Sequence, residues 1–106
     1  MKKTATAILA IASLTVATAA IADQLEDMMK KNGCNACHSE DKKIVGPAYK
    51  DVAAKYHGNA KAEAMLVEKV KKGGSGVWGP IPMPPNSQVS DADIKKMVEM
   101  ILALKK

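Results

Sequence analysis

The chain is 106 residues long, room for one ordinary domain. Its 16 basic residues are all Lys, set against 11 acids for a formal net charge of +5. They occur singly or in pairs such as Lys42-Lys43 and Lys71-Lys72, without the concentrated basic stripe of a nucleic-acid binder, so nucleic acid is not an expected partner.

The N-terminus reads as a targeting segment rather than as part of the fold. Met1-Lys2-Lys3 is followed by an apolar run from Ala5 to about Ala20, then by Ala20-Ile21-Ala22 and the polar Asp23-Gln24. Charge, apolar stretch and A-x-A site in that order predict a cleaved secretory signal peptide over residues 1–22. The domain is then 23–106, and the expected location is the periplasm. A permanent membrane anchor is the rival reading, but a spanning helix needs roughly 20 apolar residues and this run is short of that. No membrane span is expected after cleavage. Residues 23–106 hold 14 Lys against 11 acids, a mildly basic surface suited to transient docking on acidic partners.

The remaining apolar spacing is helical, with no sustained alternation of strand type. A first helix is expected over about 23–31, with Leu25, Met28 and Met29 on one face and Asn32-Gly33 as its stop. A second starts near Pro47, a favoured first helical residue, places Tyr49, Val52, Ala53 and Tyr56 on one side, and ends at His57-Gly58. A third covers about 61–72, with Ala62, Leu66, Val67 and Val70 facing inward and Gly73 closing it. Residues 73–86 cannot continue a helix, because Pro80, Pro82, Pro84 and Pro85 remove backbone donors and fix φ. The last helix opens on Ser90, with Asp93 at the capping-box position, and carries Ile94, Met97, Val98, Ile101 and Leu102 on one face. Four short helices and one irregular loop make an all-α domain. Its only aromatics are Tyr49, Tyr56 and Trp78, so a cofactor plate would supply core material the side chains lack.

The chemistry is concentrated in Cys34-Asn35-Ala36-Cys37-His38. Two Cys at this spacing followed directly by His form the attachment pattern of a c-type haem. Each thiol forms a thioether with one vinyl group, and His38 is placed to coordinate the iron. A zinc site would need two further ligands, and His57 is the only other His. A redox dithiol would call for a sheet that the pattern does not contain. A disulfide between Cys34 and Cys37 would close too tight a loop to stabilise much. One covalent haem c is the expected cofactor.

The second axial ligand decides what such a haem does. Met28, Met29, Met65, Met97 and Met100 fall in predicted helices, where Met is ordinary packing material. Met83 lies instead in the Pro-rich loop, whose restricted φ angles lower the entropy of the detached state. Met83 is therefore the expected iron ligand, with His57 as the alternative. With His38 and Met83 both bound, the iron has no open position, which favours one-electron transfer over catalysis. A soft sulfur ligand raises the potential relative to a second imidazole.

Gly33-Cys34-Asn35-Ala36-Cys37-His38, the run Val45-Gly46-Pro47-Ala48-Tyr49-Lys50-Asp51-Val52-Ala53 and the segment Gly76 to Asn86 together resemble the small bacterial class I cytochromes c. The resemblance covers essentially all of residues 23–106. It implies the class I cytochrome c fold around one haem, and a periplasmic carrier of electrons between respiratory redox proteins rather than an enzyme. The partners implied are periplasmic or membrane-bound redox proteins, and a monomer is expected. It further implies that the Pro47 carbonyl accepts a hydrogen bond from His38, that Trp78 donates to a haem propionate, and that Asn86 bonds near the Met83 sulfur. Close approach of the first and last helices at Gly33 is implied as well. Lys69 stands where the family often has Arg, and Met29 and Met100 stand where it often has aromatics. A haem enzyme or gas-binding sensor with a displaceable distal Met is the competing function, and a purely structural haem module a third.

Overall fold

A computed structural model describes residues 14–104 of the chain, with side chains from residue 20 onward. Its elements are α1 (Leu14–Lys31), a short 3-10 turn (Cys34–Ala36), α2 (Tyr49–Lys55), α3 (Ala62–Lys72) and α4 (Asp91–Leu102). There is no strand among the described residues, only isolated bridges pairing His38 with Lys43 and Gly74 with Met83. The fold is all-α, as the spacing predicts.

The largest departure is in α1, which begins at Leu14 rather than near Asp23. Its upstream sequence is rich in Ala, the strongest helix former, and nothing at Ala22-Asp23 breaks a helix. Residues 1–13 of the expected leader lie outside the described residues. No described helix is long and apolar enough to cross a membrane.

The other boundaries shift only slightly. Pro47 precedes α2 rather than opening it, because Ala48 takes an extended N-cap conformation at φ −62°, ψ 143°. Ser90 caps α4 by accepting a 3.2 Å hydrogen bond from the Asp93 backbone N–H, which satisfies one of the free donors of the first turn.

Helix α4 is the central support and packs against α1, α2 and α3. Ile94, Val98 and Leu25 are fully buried where α4 meets α1, with Met29, Met97, Met100 and Ile101 around them. Tyr49 and Val52 of α2 join the same core. In α3 only Ala62 is buried. Leu66 and Val70 remain half-buried because they line a cleft between α3, α4 and the two long loops.

Gly33 has a different role from the one the resemblance implies. A Cβ there would meet no protein atom within 4 Å, so close helix approach does not require glycine. Its φ of +75° does: the chain leaves α1 in the left-handed region, which glycine occupies without a Cβ penalty.

Candidate haem site

The cleft encloses about 1150 Å³, its open mouth included. Cys37 and His38 line it from one segment and Met83 from another, with Val52, Leu66 and Val70 supplying apolar surface between them. Met83 is the one Met among its lining residues. His57 is exposed just beyond α2 and is not among them.

The Cys-containing segment folds as a tight turn because its backbone bonds close on themselves. The N–H groups of Cys37 and His38 both donate to the Cys34 carbonyl, at 3.1 and 3.0 Å. The Cys37 carbonyl then accepts from Val45 and Gly46, at 3.2 and 2.8 Å, folding the following loop back over the turn. Both thiols are half-buried and unpaired. Burial raises the Cys34 thiol pKa above its ordinary value.

His38 is held on three sides. Its Nδ1 donates to the Pro47 carbonyl at 2.8 Å. A carbonyl can only accept, so Nδ1 carries a proton, and Nε2 is the nitrogen that the neutral imidazole offers to a metal. The Tyr49 ring stacks on the imidazole with centroids 4.9 Å apart and planes inclined by 23°. Burial pushes the Tyr49 phenol well above its ordinary pKa, so it stays a neutral hydroxyl. Behind the imidazole lies Gly46, where a Cβ would stand 2.5 Å from His38 Cε1.

Met83 is fixed through its backbone. Its N–H donates to the Gly74 carbonyl at 2.8 Å, and the Gly74 N–H returns the bond at 3.0 Å. Gly73 permits this pairing twice over: its φ is +72°, and a Cβ there would collide with the Met83 carbonyl. Asn86 ties the descending limb of the loop to α3, its side-chain amide donating to Val70 and Pro84 carbonyls, each at 3.2 Å.

Trp78 lines the cleft and is 39% exposed, with Lys55 Nζ 5.6 Å from its ring centre. Lys69 and Lys43 are the lining Lys, and no Asp or Glu lines the cleft. What Gly46, Gly73 and Lys55 do at the cleft is not legible in the sequence, where Gly73 shows only as a helix stop. Each acts on a residue brought near by folding, and no periodic pattern marks them.

These residues fit a haem. An apolar cleft carries an imidazole with a free Nε2 and a thioether side chain, and two free thiols stand on the turn that supplies His38. The donor set of neutral nitrogen and sulfur is one that iron in a haem accepts.

Comparison with known proteins agrees. The cytochrome c family model matches residues 26–105. Cytochrome c-551 of Allochromatium vinosum is 54% identical over 96 residues, 91% of this chain and 100% of the relative. Cytochrome c-551 of Pseudomonas aeruginosa is 52% identical over 90 residues, 85% of this chain and 86% of the relative. The crystal structure of wild-type Nitrosomonas europaea cytochrome c552 superposes with a TM-score of 0.73 at 56% identity, covering 76% of this chain and 99% of that one. With this fold, this pair of Cys and these relatives, the chain belongs to the cytochrome c family as a small class I member that carries one covalent haem c and transfers electrons, and is not an enzyme.

Proposed function

We propose that Cys34 and Cys37 hold the haem as thioethers, that His38 Nε2 and Met83 Sδ are its two axial iron ligands, and that the protein works in the periplasm after residues 1–22 are removed. When bound, the haem supplies a one-electron couple at its iron. The observation that carries the ligand assignment is the convergence of His38 and Met83 on one cleft from separate segments. Each is immobilised by its own set of contacts.

The chain's own residues then set the conditions for electron transfer. Pro47 orients His38 and raises the basicity of Nε2 by accepting a hydrogen bond from Nδ1–H. The Gly74–Met83 pairing would hold the backbone that carries the thioether in place when the haem is bound. Val52, Leu66 and Val70 exclude water and favour the less charged state of the centre. Trp78 is available as a donor to a propionate. Asn86 acts on Met83 by fastening its loop to α3.

As an electron carrier the protein exchanges electrons with redox partners. Those partners are periplasmic or membrane-bound if the protein is exported as proposed, and the rim of the cleft supports transient docking by charge. Val45, Val77, Trp78 and Ile81 stand exposed around the cleft, and Lys43 lies beside them. A small apolar rim with nearby cations gives fast, weak association rather than a permanent complex. A monomer suits that traffic.

Two measurements test the reading. The ferric protein should show the weak charge-transfer band of an Fe–S(Met) bond, and Met83→Ala should abolish it. A wild-type protein without the band rules out Met83 as ligand. The intact mass of protein recovered from the periplasm should correspond to a chain starting at Asp23 with one haem added. A mass that retains residues 1–22 rules out cleavage.

A further inference from the structure

The Met83 loop is fastened at its limbs. Gly74 and Met83 exchange backbone bonds, and Asn86 is bonded to Val70 of α3 through both backbone and side chain. The far end is different. Over residues 75–82 the described hydrogen bonds comprise only the internal one from the Gly76 N–H to the Gly79 carbonyl, 2.8 Å. A segment bonded to the body only at its base opens more easily than its surroundings.

One charged group from the helical body reaches that end. Lys55 is the last residue of α2, and its Nζ lies 5.6 Å from the centre of the Trp78 ring and 5.8 Å from that of Tyr56. The Tyr56 contact follows from adjacency in the chain. The Trp78 contact does not, since it joins α2 to the loop across the fold. Two features hold the ammonium there. The carbonyl end of α2 attracts a cation, and Lys55 forms no ion pair with a carboxylate among the described residues, unlike Lys50, Lys71 or Lys95. Trp is the aromatic that binds a cation most strongly.

We propose that Lys55 is a positioning residue for the iron-ligand loop. Its ammonium lies over the Trp78 indole, ties the loop tip to the end of α2, and slows the excursions that carry Met83 away from the iron. Lys55 touches no ligand atom and acts through Trp78. The proposal rests on Met83 being the axial ligand. Because the tie depends on charge over an aromatic face, Arg should replace Lys55 and Gln should not.

The test uses the haem-loaded protein with two readouts. Trp78 is the only Trp in the chain, so its indole N–H gives a single NMR resonance whose order parameter reports the loop tip. Saturating imidazole added to the ferric protein displaces Met83 at a rate limited by loop opening, followed by loss of the Fe–S(Met) band. Lys55→Gln should raise that rate about two- to five-fold, the factor an exposed cation–π contact contributes, and lower the indole order parameter. Lys55→Arg should keep both at wild-type values, and the denaturant midpoints of both variants should match wild type. An unchanged rate and order parameter in Lys55→Gln would overturn the proposal, as would their change in Lys55→Arg. A matching drop in denaturant midpoint would overturn it too, because general loosening would then account for the faster opening. Absence of the Fe–S(Met) band in the wild type would defeat the ligand assignment instead, and the indole order parameter would still read the Lys55–Trp78 tie on its own.

Discussion

A methyl group at Gly46 would stand 2.5 Å from His38 Cε1 and 2.9 Å from Nδ1, so Gly46→Ala forces the imidazole or the backbone to move. Overpacking of this kind costs about 1–3 kcal/mol, and denaturant unfolding of the haem-loaded protein should show a loss in that range. Gly33→Ala is a contrast, because its Cβ has room but its φ of +75° does not suit an L side chain. Its expected cost is the left-handed penalty alone, roughly 1–2 kcal/mol. Gly73→Ala combines both faults, a φ of +72° and a collision with the Met83 carbonyl. It should be the most destabilising of the three and the one that weakens the Fe–S(Met) band. The sequence shows Gly33 and Gly73 as helix stops, since each follows an apolar-periodic run. Neither the steric demand of His38 on Gly46 nor that of Met83 on Gly73 is legible there. In both pairs the glycine and the group it accommodates are separated in the chain and meet only after folding.

At the level of elements, α2, α3 and α4 are readable because their apolar residues repeat at helical spacing and their ends carry recognisable residues. Ser90 is one such signal, and Ser90→Ala should lower stability by about 1 kcal/mol, measured as a shift in denaturant midpoint. The 3-10 turn Cys34–Ala36 is too short to have a period, so only the Cys-His spacing marks it. The start of α1 is not legible for a different reason: the Ala-rich sequence before Asp23 carries no helix breaker, so propensity alone sets no boundary there. The third and fourth helices are also joined by charge. Lys95 lies 3.5 Å from Glu63 on α3 and 2.8 Å from Glu99 on α4. Its hydrogen bond lowers the Glu99 carboxyl pKa. The folded value lies below the unfolded one, so the contribution is present above the ordinary carboxylate range and is lost as pH falls through the lowered pKa. Lys95→Ala should raise the Glu99 pKa in a carboxyl NMR titration toward that range. Midpoints should change little, since each of the three side chains is two-fifths or more exposed and the charges are screened by solvent.

Over the whole molecule, the Lys that line the cleft are not among those paired with acids in the described residues. Lys30, Lys50, Lys71, Lys72 and Lys95 are neutralised by neighbouring carboxylates. The cleft carries Lys43 and Lys69 and no acid among its lining residues, with Lys42 next to Lys43 in the exposed loop after His38. An incoming anion therefore meets the positive charge of Lys43 and Lys69 at the cleft itself, while Glu40 and Asp41 of the same loop lie outside its lining. The net excess of Lys over acids in residues 23–106 is only three, so the effect is local rather than a property of the whole surface. Electron transfer to a small trianionic oxidant such as hexacyanoferrate(III) should slow as salt is added, because screening sets in over about 10 Å at 0.1 M. A cationic cobalt complex of similar size should show the opposite slope. Replacing Lys42 and Lys43 together by Gln removes charge without shortening either side chain much, and should flatten both dependences while leaving the Fe–S(Met) band in place. Stopped-flow rates over a range of ionic strength would measure it. If the double variant keeps the wild-type slopes, these two Lys do not steer partners, and docking rests on Lys69 and the apolar rim of Val45, Val77, Trp78 and Ile81.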